Sequence, residues 1–225
     1  MSEEIFDVVN ERDEIIDRRP RSEVHRLKLK HRAVHVLIFN ARGELFLQKR
    51  SLKKDCFPGV WDSSASGHLD LGEDYDACAV REVREELGYD LPCVPTRLFK
   101  IDACPETGQE FVWVYRCDAE GPFTLHPDEI ETGGWFSPEE IKRWLSERPH
   151  ELASGLVRIW QELATARGLN EATETKTRNS TGNVTERELS STRRLNDNQR
   201  IEDNSRFVTV PKMGTSFYQI LCVKR

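Results

Sequence analysis

The 225-residue sequence lacks three features that would place it in other classes of protein. No stretch approaches the roughly 20 consecutive apolar residues that a membrane-spanning helix needs, so no membrane partner is expected. No long run of lysine and arginine is present and the formal net charge is −6, so nucleic acid is not an expected partner. The N-terminal residues MSEEIFDVVNERDE lack the basic start and apolar core of a signal peptide, which favours a cytoplasmic location.

Paired cysteines are also missing. The six cysteines are scattered along the chain without a CxxC pair, so the sequence predicts neither a cysteine-based zinc motif nor a dithiol redox motif. Free thiols in a reducing compartment are the simplest expectation. The residues concerned are Cys56, Cys78, Cys93, Cys104, Cys117 and Cys222.

The most informative segment present runs from Gly67 to Gly88 and has the sequence GHLDLGEDYDACAVREVREELG. Residues 74–87 contain no glycine or proline and are rich in Ala, Arg, Glu and Leu, so they predict a helix. Gly88 would end that helix, because glycine tolerates the left-handed backbone found there. Gly67 follows the strand expected at 61–66 and opens the loop before the helix, where a missing side chain would let a backbone carbonyl approach a metal ion.

The predicted helix places three carboxylates on one face, those of Glu82, Glu85 and Glu86. Like charges at this spacing repel, and a hard divalent cation such as Mg²⁺ or Mn²⁺ would offset the repulsion. Glu73 lies at the helix start, from which it can reach Arg81 two turns on. A glutamate-rich helix alone is more typical of a solvated face, but its spacing from Gly67, Glu73 and Gly88 favours a metal site.

Other patterns predict the elements around this segment. Hairpins are expected at 5–16 and 33–50, strands at 61–66, 96–103 and 111–117, and helices at 139–146 and 150–167. The polar composition of residues 170–206 predicts disorder, and a short apolar stretch ends the chain. We therefore expect one domain over 1–169, with a core of about 31–165, followed by a largely disordered tail over 170–225.

The spacing from Gly67 through Glu73 and Arg81 to Gly88 resembles the Nudix box, and the resemblance extends over roughly residues 3–165. It implies an α/β/α sandwich around a mixed β-sheet. It also implies hydrolysis of a diphosphate linkage in a nucleoside diphosphate-linked or related small molecule by metal-activated water. The metal ligands would be the carboxylates of Glu82, Glu85 and Glu86 and the Gly67 carbonyl, with Glu73, Arg81 and Gly88 in structural roles.

The flanking segments are similar to a Nudix branch related to isopentenyl-diphosphate isomerase. They are Ser22–His25, His31–His35, Leu47–Ser51 with Lys54, Phe57–Trp61 and Ser66–His68. An isomerase is therefore one alternative, and its metal site would use histidines and downstream glutamates, here matching His25, His31, His68 and Glu110. Ser66 stands where that enzyme needs a cysteine, which favours the hydrolase. A catalytically silent nucleotide-binding module is a third alternative, and the complete acidic cluster argues against it.

Two cationic side chains, Arg50 and Lys54, are candidate phosphate contacts because diphosphate binding needs positive charge. The general base would be one carboxylate of the helix cluster or a downstream glutamate, Glu110 or Glu131. The expected partner is a small-molecule diphosphate whose other half the sequence does not specify. A homodimer is possible on sequence grounds.

Overall fold

The computed structural model describes residues 3–165. The predicted tail over 170–225 and the end of the helix predicted to reach residue 167 lie outside this range. The strands are β1 Ile5–Val9, β2 Ile15–Pro20, β3 His31–Phe39, β4 Leu45–Arg50, β5 Trp61–Asp62, β6 Ala65–His68, β7 Thr96–Ile101, β8 Glu110–Asp118 and β9 Ile130–Phe136. The helices are α1 Arg21–Leu27, α2 Tyr75–Leu87, α3 Pro138–Glu147 and α4 over residues 154–165. None of these helices is long and apolar enough to cross a membrane.

The first two strands form a separate antiparallel hairpin, as the sequence predicts. The Asn10 side chain organises its turn by accepting hydrogen bonds from the backbone N–H groups of Arg12 and Glu14, at 2.8 and 3.1 Å. The short helix α1 follows β2 directly and is not predicted from the sequence. Only Val24 of its seven residues is buried, so the segment has no apolar periodicity that would indicate a helix.

The main sheet has β3 at its centre. β3 runs parallel to β8 along its whole length, from the His31–Glu110 pair to the Phe39–Asp118 pair, and antiparallel to β6. The predicted hairpin over 33–50 is present, but only Phe39 and Leu45 pair across it. Beyond that pair the strands separate, because β4 takes β5 and β9 as its partners. The mixed sheet is as expected.

Alternate residues of β3 serve two different cores. Leu37 and Phe39 pack in a cluster with residues of α3 and α4, including Ile141 and Leu156. Val34, Val36 and Ile38 face the other side, where the buried residues of α2 pack. Because successive side chains of a strand point to opposite faces, helices cover both faces of the sheet. The sandwich is therefore of the predicted α/β/α type.

The strand predicted over 61–66 is instead two strands, with a break at Ser63 and Ser64. Both serines are fully buried and their hydroxyls hold the break. Ser64 Oγ donates to the Phe46 carbonyl at 2.6 Å and accepts from the Ile38 N–H at 2.8 Å. At this point the chain leaves β4 and begins to pair with β3, and Gly67 lies inside β6. The prediction that Gly67 opens a loop after the strand is therefore wrong.

The helix predicted to begin at residue 150 begins at 154. A short 3₁₀ turn, Pro149–Glu151, precedes it. Leu152 then makes an isolated bridge to Trp61, and the Ala153 N–H donates to the Trp61 carbonyl at 2.8 Å. Leu152 packs in the same core cluster as Leu156 and Ile159 of α4. Unlike them, it packs from an extended segment that precedes the helix.

Candidate active site

A cleft of about 1100 Å³ contains most of the chemistry that the sequence indicates. Its walls come from β6, α2, α1, the β4–β5 loop over 51–60 and the turn at Pro105–Thr107. The α2 residues Glu82, Glu85 and Glu86 line this cleft, and so do His25, His68 and Glu110. His31 is not among the lining residues, but its ring lies beside that of His68, with centroids 5.0 Å apart. A volume of this size accommodates a ligand of nucleotide dimensions.

α2 is fixed at both ends by its own sequence. The Asp74 carboxylate accepts from the Ala77 N–H at 2.9 Å as an N-cap, and Gly88 adopts φ +57° at the C-cap. The helix buries Cys78, Val83 and Leu87 against the sheet. The same packing turns Glu82 and Glu86 toward the β6 residues Gly67 and Ser66.

The three glutamates of α2 differ in exposure. The Glu82 and Glu86 side chains are buried, whereas that of Glu85 is 57% exposed at the rim of the cleft. Glu86 Oε2 accepts from the Ser66 N–H and from Gln48 Nε2, each at 2.9 Å. Burial raises the pKa of both Glu82 and Glu86, and the charge of Glu82 raises that of Glu86 further. Two buried carboxylates on one helix face are donors that could hold a divalent cation.

Arg81 connects the loop before α2 to the glutamates. Its guanidinium makes two hydrogen bonds to Glu73, at 2.7 and 2.9 Å, and one to the His68 carbonyl at 2.9 Å. The same side chain donates to Glu82 at 2.7 Å and to Glu85 at 3.0 Å. These contacts hold the start of the motif and its carboxylates in one arrangement.

Gly67 is required by the Glu82 side chain. A Cβ atom at this position would lie 2.0 Å from Glu82 Oε1, and real Cβ atoms do not approach another atom that closely. The Glu82 carboxylate therefore occupies the space that a side chain on β6 would fill. The sequence-based reason for Gly67, access of its carbonyl to a metal ion, stays a prediction.

A second cluster is formed by three histidines and one glutamate. The rings of His25, His31 and His68 have centroids 5.0–5.3 Å apart, and one ring nitrogen from each lies within 4.8 Å of the others. Glu110 Oε1 is 3.0 Å from His68 Nε2 and 3.6 Å from His31 Nε2. His25 comes from α1, while His31 and Glu110 are opposite each other where β3 and β8 begin.

His31 has a ring nitrogen available for a ligand. Its Nδ1 is 2.9 Å from the Leu29 carbonyl, which accepts only from a protonated nitrogen, so we assign the lone pair to Nε2. Nε2 is buried and has no hydrogen-bond partner among the described residues. A buried, unpartnered lone pair 3.6 Å from a carboxylate is costly unless a cation lies nearby.

The charges of this cluster are also suited to a cation. Burial and the neighbouring His68 and Arg21 lower the pKa of His25 to about 4. Burial likewise lowers the pKa of His68. Burial would raise the pKa of Glu110, but the adjacent His31 and His68 rings outweigh it and lower that pKa. His25 and His68 therefore favour the neutral imidazole and Glu110 the ionised carboxylate, the forms that bind metal ions.

The two predicted phosphate contacts have different environments. Arg50 is buried, and its guanidinium donates to the Cys56 carbonyl at 3.1 and 3.2 Å and to Asp62 at 3.3 Å. Those donors are committed to the β4–β5 loop and to β5. Phosphate binding by Arg50 therefore stays a prediction, and it would have to use the remaining N–H groups of the guanidinium. Lys54 lines the cleft and is paired with Glu129.

Some residues of the cleft carry no signal in the sequence. Glu131 is a candidate base on sequence grounds, but it pairs with Lys49, and neither residue lines the cleft. Glu129 does line the cleft. Gln48 binds Glu86 from β4, 38 residues away in sequence. Cys56 lines the cleft 3.8 Å from His25 Nδ1, although no local motif connects the two residues. Only the fold brings these groups together.

Comparison with known proteins gives consistent matches. A family model described as the NUDIX domain matches residues 29–155. Nudix hydrolase YfcD of Escherichia coli K12 is 32% identical over 185 residues, which are 78% of this chain and 95% of that protein. A Nudix hydrolase of Deinococcus radiodurans is 31% identical over 63% of this chain and 83% of its own length.

Solved structures agree with these sequence matches. The crystal structure of DR0079 from Deinococcus radiodurans superposes with a TM-score of 0.63 and 27% identity, covering 71% of this chain and 98% of that one. A MutT protein from Methanosarcina mazei Go1 has a TM-score of 0.51 at 21% identity over 60% and 93% of the two chains, a likeness of fold. The family match begins after α1, so Arg21 and His25 of the cleft lie outside it.

Proposed function

The chain belongs to the Nudix hydrolase family, which acts on pyrophosphate bonds of nucleoside diphosphate derivatives, and from that premise we propose a specific reaction. The protein hydrolyses the diphosphate linkage of a nucleoside diphosphate-linked or related small molecule with the help of Mg²⁺, for which Mn²⁺ can substitute. The observation that carries this proposal is the pair of buried carboxylates beside β6, with Glu82 against Gly67 and Glu86 bonded to the Ser66 N–H.

The donor set fits a hard divalent cation. Glu82 and Glu86 are buried, and burial of two carboxylates beside each other is costly without a compensating charge. Oxygen-only ligands are those that Mg²⁺ and Mn²⁺ prefer, and Glu85 and the Gly67 carbonyl would complete the set. When bound, the cation lowers the pKa of a water molecule and neutralises charge on phosphate oxygens.

The protein's own groups orient the reaction. Arg81 holds Glu82 and Glu85 in place, and Ser66 N–H and Gln48 fix Glu86. Lys54 is the proposed phosphate contact, releasing Glu129 when a more highly charged anion arrives. The water proton passes to a carboxylate of the α2 cluster, since Glu110 is already engaged by His68.

We propose that the histidine cluster is a second cation site. His25, His31 and His68 supply nitrogen donors and Glu110 supplies oxygen, and the unpartnered His31 Nε2 is the observation that supports it. Titration of the metal-free protein with Mn²⁺ should show two classes of site, one of which is lost in His68→Asn. An unchanged isotherm in that variant would remove the proposal while leaving the α2 site intact.

The isomerase alternative is less well supported by the cleft. Ser66 has a hydroxyl where a thiol is needed, and its backbone N–H is committed to Glu86. A hydroxyl is a much weaker acid than a thiol, so serine is a poor substitute in proton transfer at carbon. The shared histidine and glutamate positions nevertheless make isopentenyl diphosphate a necessary compound in any test.

The proposal is tested by a substrate panel with the full chain. Nucleoside diphosphate-linked compounds, dinucleoside polyphosphates and isopentenyl diphosphate are incubated with and without Mg²⁺, and products are identified by phosphorus NMR. We expect phosphate-containing cleavage products from at least one of the first two classes, only with a divalent cation. Conversion of isopentenyl to dimethylallyl diphosphate would replace the hydrolase by the isomerase. Tight nucleotide binding without turnover would support a silent module.

A further inference from the structure

Helix α1 and the β4–β5 loop meet at the rim of the cleft through charged side chains. Arg21 Nη2 donates to both oxygens of Asp55, at 2.9 and 3.2 Å, and Arg21 Nε also reaches Asp55, at 3.3 Å. The two residues are 34 positions apart in the sequence. This junction therefore joins a helix that lies outside the family match to a loop that lies inside it.

Next to this junction lie three groups of different donor chemistry. His25 Nδ1 is 3.8 Å from Cys56 Sγ and 4.0 Å from Asp55 Oδ2. One donor atom from each of the three residues lies within 4.8 Å of the other two. The set thus contains one thiol sulfur, one imidazole nitrogen and one carboxylate oxygen.

These separations are close to those around a tetrahedral cation. Zinc bonds of ~2.3 Å to sulfur and ~2.0 Å to nitrogen or oxygen place tetrahedral ligands about 3.3–3.6 Å apart. The sulfur–nitrogen separation of 3.8 Å exceeds its tetrahedral value by about 0.3 Å, and the nitrogen–oxygen separation of 4.0 Å exceeds its own by about 0.7 Å. Side-chain torsions of an exposed loop can supply both changes. Arg21 donates to both oxygens of the Asp55 carboxylate and so fixes its orientation, as hydrogen-bonding partners of metal ligands commonly do.

We propose that His25, Asp55 and Cys56 form a binding site for a thiophilic divalent cation of the Zn²⁺ class. Three protein ligands leave a fourth position for water. The Cys56 thiol loses its proton to solvent on binding, so sulfur enters as thiolate. This site differs in chemistry from the oxygen-only set on α2, which selects Mg²⁺ or Mn²⁺. His25 belongs to both this set and the histidine cluster.

Occupancy of the site has a consequence for the cleft. A cation there ties α1 to the loop that also carries Lys53 and Lys54, which pair with Asp128 and Glu129 across the cleft. The loop must release these partners if Lys54 is to contact substrate phosphate. A bound thiophilic cation therefore restrains the loop and inhibits turnover supported by Mg²⁺.

Cobalt spectroscopy tests the site without reference to turnover. The full chain is stripped of metal under reducing conditions and titrated with Co²⁺, whose bond to a thiolate gives a near-ultraviolet charge-transfer band that imidazole and carboxylate ligands do not give. We expect this band in the wild type, its loss in Cys56→Ser and its retention in Cys93→Ser and Cys222→Ser. Circular dichroism confirms the fold of each variant.

Two spectral results would overturn the proposal. Cobalt binding with visible ligand-field bands but no charge-transfer band would assign the ion to the histidine cluster or the carboxylates. A charge-transfer band that persists in Cys56→Ser would assign it to another cysteine.

Inhibition gives an independent readout if hydrolysis is established. Zn²⁺ should inhibit the Mg²⁺-supported wild-type reaction at a concentration about tenfold lower than it inhibits Cys56→Ser, in line with the usual effect of losing one metal ligand or its support. Equal sensitivity of the two proteins would contradict the inhibitory role. Because the cobalt spectra do not depend on substrate, failure of the proposed hydrolysis would leave the site itself testable.

Discussion

Glu86 shows how single residues combine burial and charge in this protein. Its side chain is 4% exposed, and both of its hydrogen bonds, from Ser66 N–H and Gln48, go to Oε2. Among the described residues nothing donates to Oε1, so one carboxylate oxygen is fixed by the protein and the other is available to a cation. Glu82, whose Oε1 lies against Gly67, completes the pair.

Replacing Glu86 with Gln should lower kcat of the Mg²⁺-supported reaction by at least ~100-fold, because an amide is a poor ligand for a hard cation. The fold should be retained, since glutamine has nearly the same shape. Glu131→Gln is the matched control, as it removes a carboxylate that pairs with Lys49 outside the cleft, and its kcat should stay within about twofold of wild type. Equal rates for Glu86→Gln and wild type would refute the site assignment.

Gly67→Ala should also reduce activity strongly, because its Cβ would displace the Glu82 carboxylate. We expect weaker Mg²⁺ binding by calorimetry together with lower kcat. Gly43→Ala is the control, since a Cβ there meets nothing within 4 Å, although its φ of +76° costs about 1 kcal/mol of stability. A Gly67→Ala protein that binds Mg²⁺ as tightly as wild type would show that the close approach to Glu82 is unimportant.

Among the elements, the N-terminal hairpin is attached to the sandwich in part by one aspartate. Asp13, in the turn of the hairpin, accepts from Arg32 at 2.6 Å, from the Tyr75 hydroxyl at 2.8 Å and from Lys100. Burial opposes ionisation of Asp13, but these hydrogen bonds outweigh it and lower the pKa. The hairpin leads into α1, so this attachment also positions His25 in the cleft.

Asp13→Asn should destabilise the protein by about 1–3 kcal/mol at pH 7, the range for hydrogen bonds to a charged group. Asparagine tolerates the left-handed backbone at this position, where φ is +62°. The loss of stability in the variant therefore measures the effect of removing the negative charge. A lowered pKa contributes stability above the unfolded value that is lost as pH falls through the folded value. The difference between wild type and variant in urea denaturation should therefore shrink toward pH 3.

The control for this prediction is Asp17→Asn, whose carboxylate accepts hydrogen bonds from the Arg18 N–H and from Arg19 Nε in the same hairpin. Its free energy of unfolding should change by less than about 0.5 kcal/mol. A similar loss in both variants would show that the attachment to Arg32, Tyr75 and Lys100 adds little.

Elements that are specified by their own and neighbouring residues could be predicted from the sequence. Elements that depend on contacts between residues far apart in the chain could not. α2 is specified by its own cap, composition and final glycine, and its start and end are as expected. The break between β5 and β6 depends on where buried serine hydroxyls find partners in β3 and β4. The contact of Cys56 with His25 joins positions 31 residues apart, for which the sequence has no pattern.

At the scale of the whole molecule, the cleft concentrates buried charge that the metal-free protein must tolerate. Glu82 and Glu86 have pKa values raised to about 7 and about 8, chiefly by burial. A raised carboxylate pKa contributes stability at low pH that is lost as pH rises through the folded value. The metal-free protein should therefore lose stability as pH rises from 4.5, the ordinary pKa of an unfolded glutamate, to about 8, where both buried groups have ionised.

We predict that the Tm of the metal-free protein falls by on the order of 10 °C between about pH 5 and pH 8, and that saturating Mg²⁺ largely removes this fall. Glu86→Gln should show a flatter profile without metal, because one of the two ionisations is gone. Scanning calorimetry with a chelator and with Mg²⁺ provides the measurement. A wild-type profile that is equally flat in both conditions would mean that the carboxylates are not held close together in solution.

The most direct test of the proposed chemistry is phosphorus NMR of the reaction in ¹⁸O-enriched water, with a nucleoside diphosphate-linked substrate found in the panel. The proposed attack of water on phosphorus predicts that the diphosphate resonances are replaced by two phosphate products, one of which carries the isotope shift of ¹⁸O. This should occur with Mg²⁺ in the wild type and not in Glu86→Gln. Cleavage without label on phosphorus, or at the same rate in Glu86→Gln, would contradict hydrolysis at the α2 carboxylates.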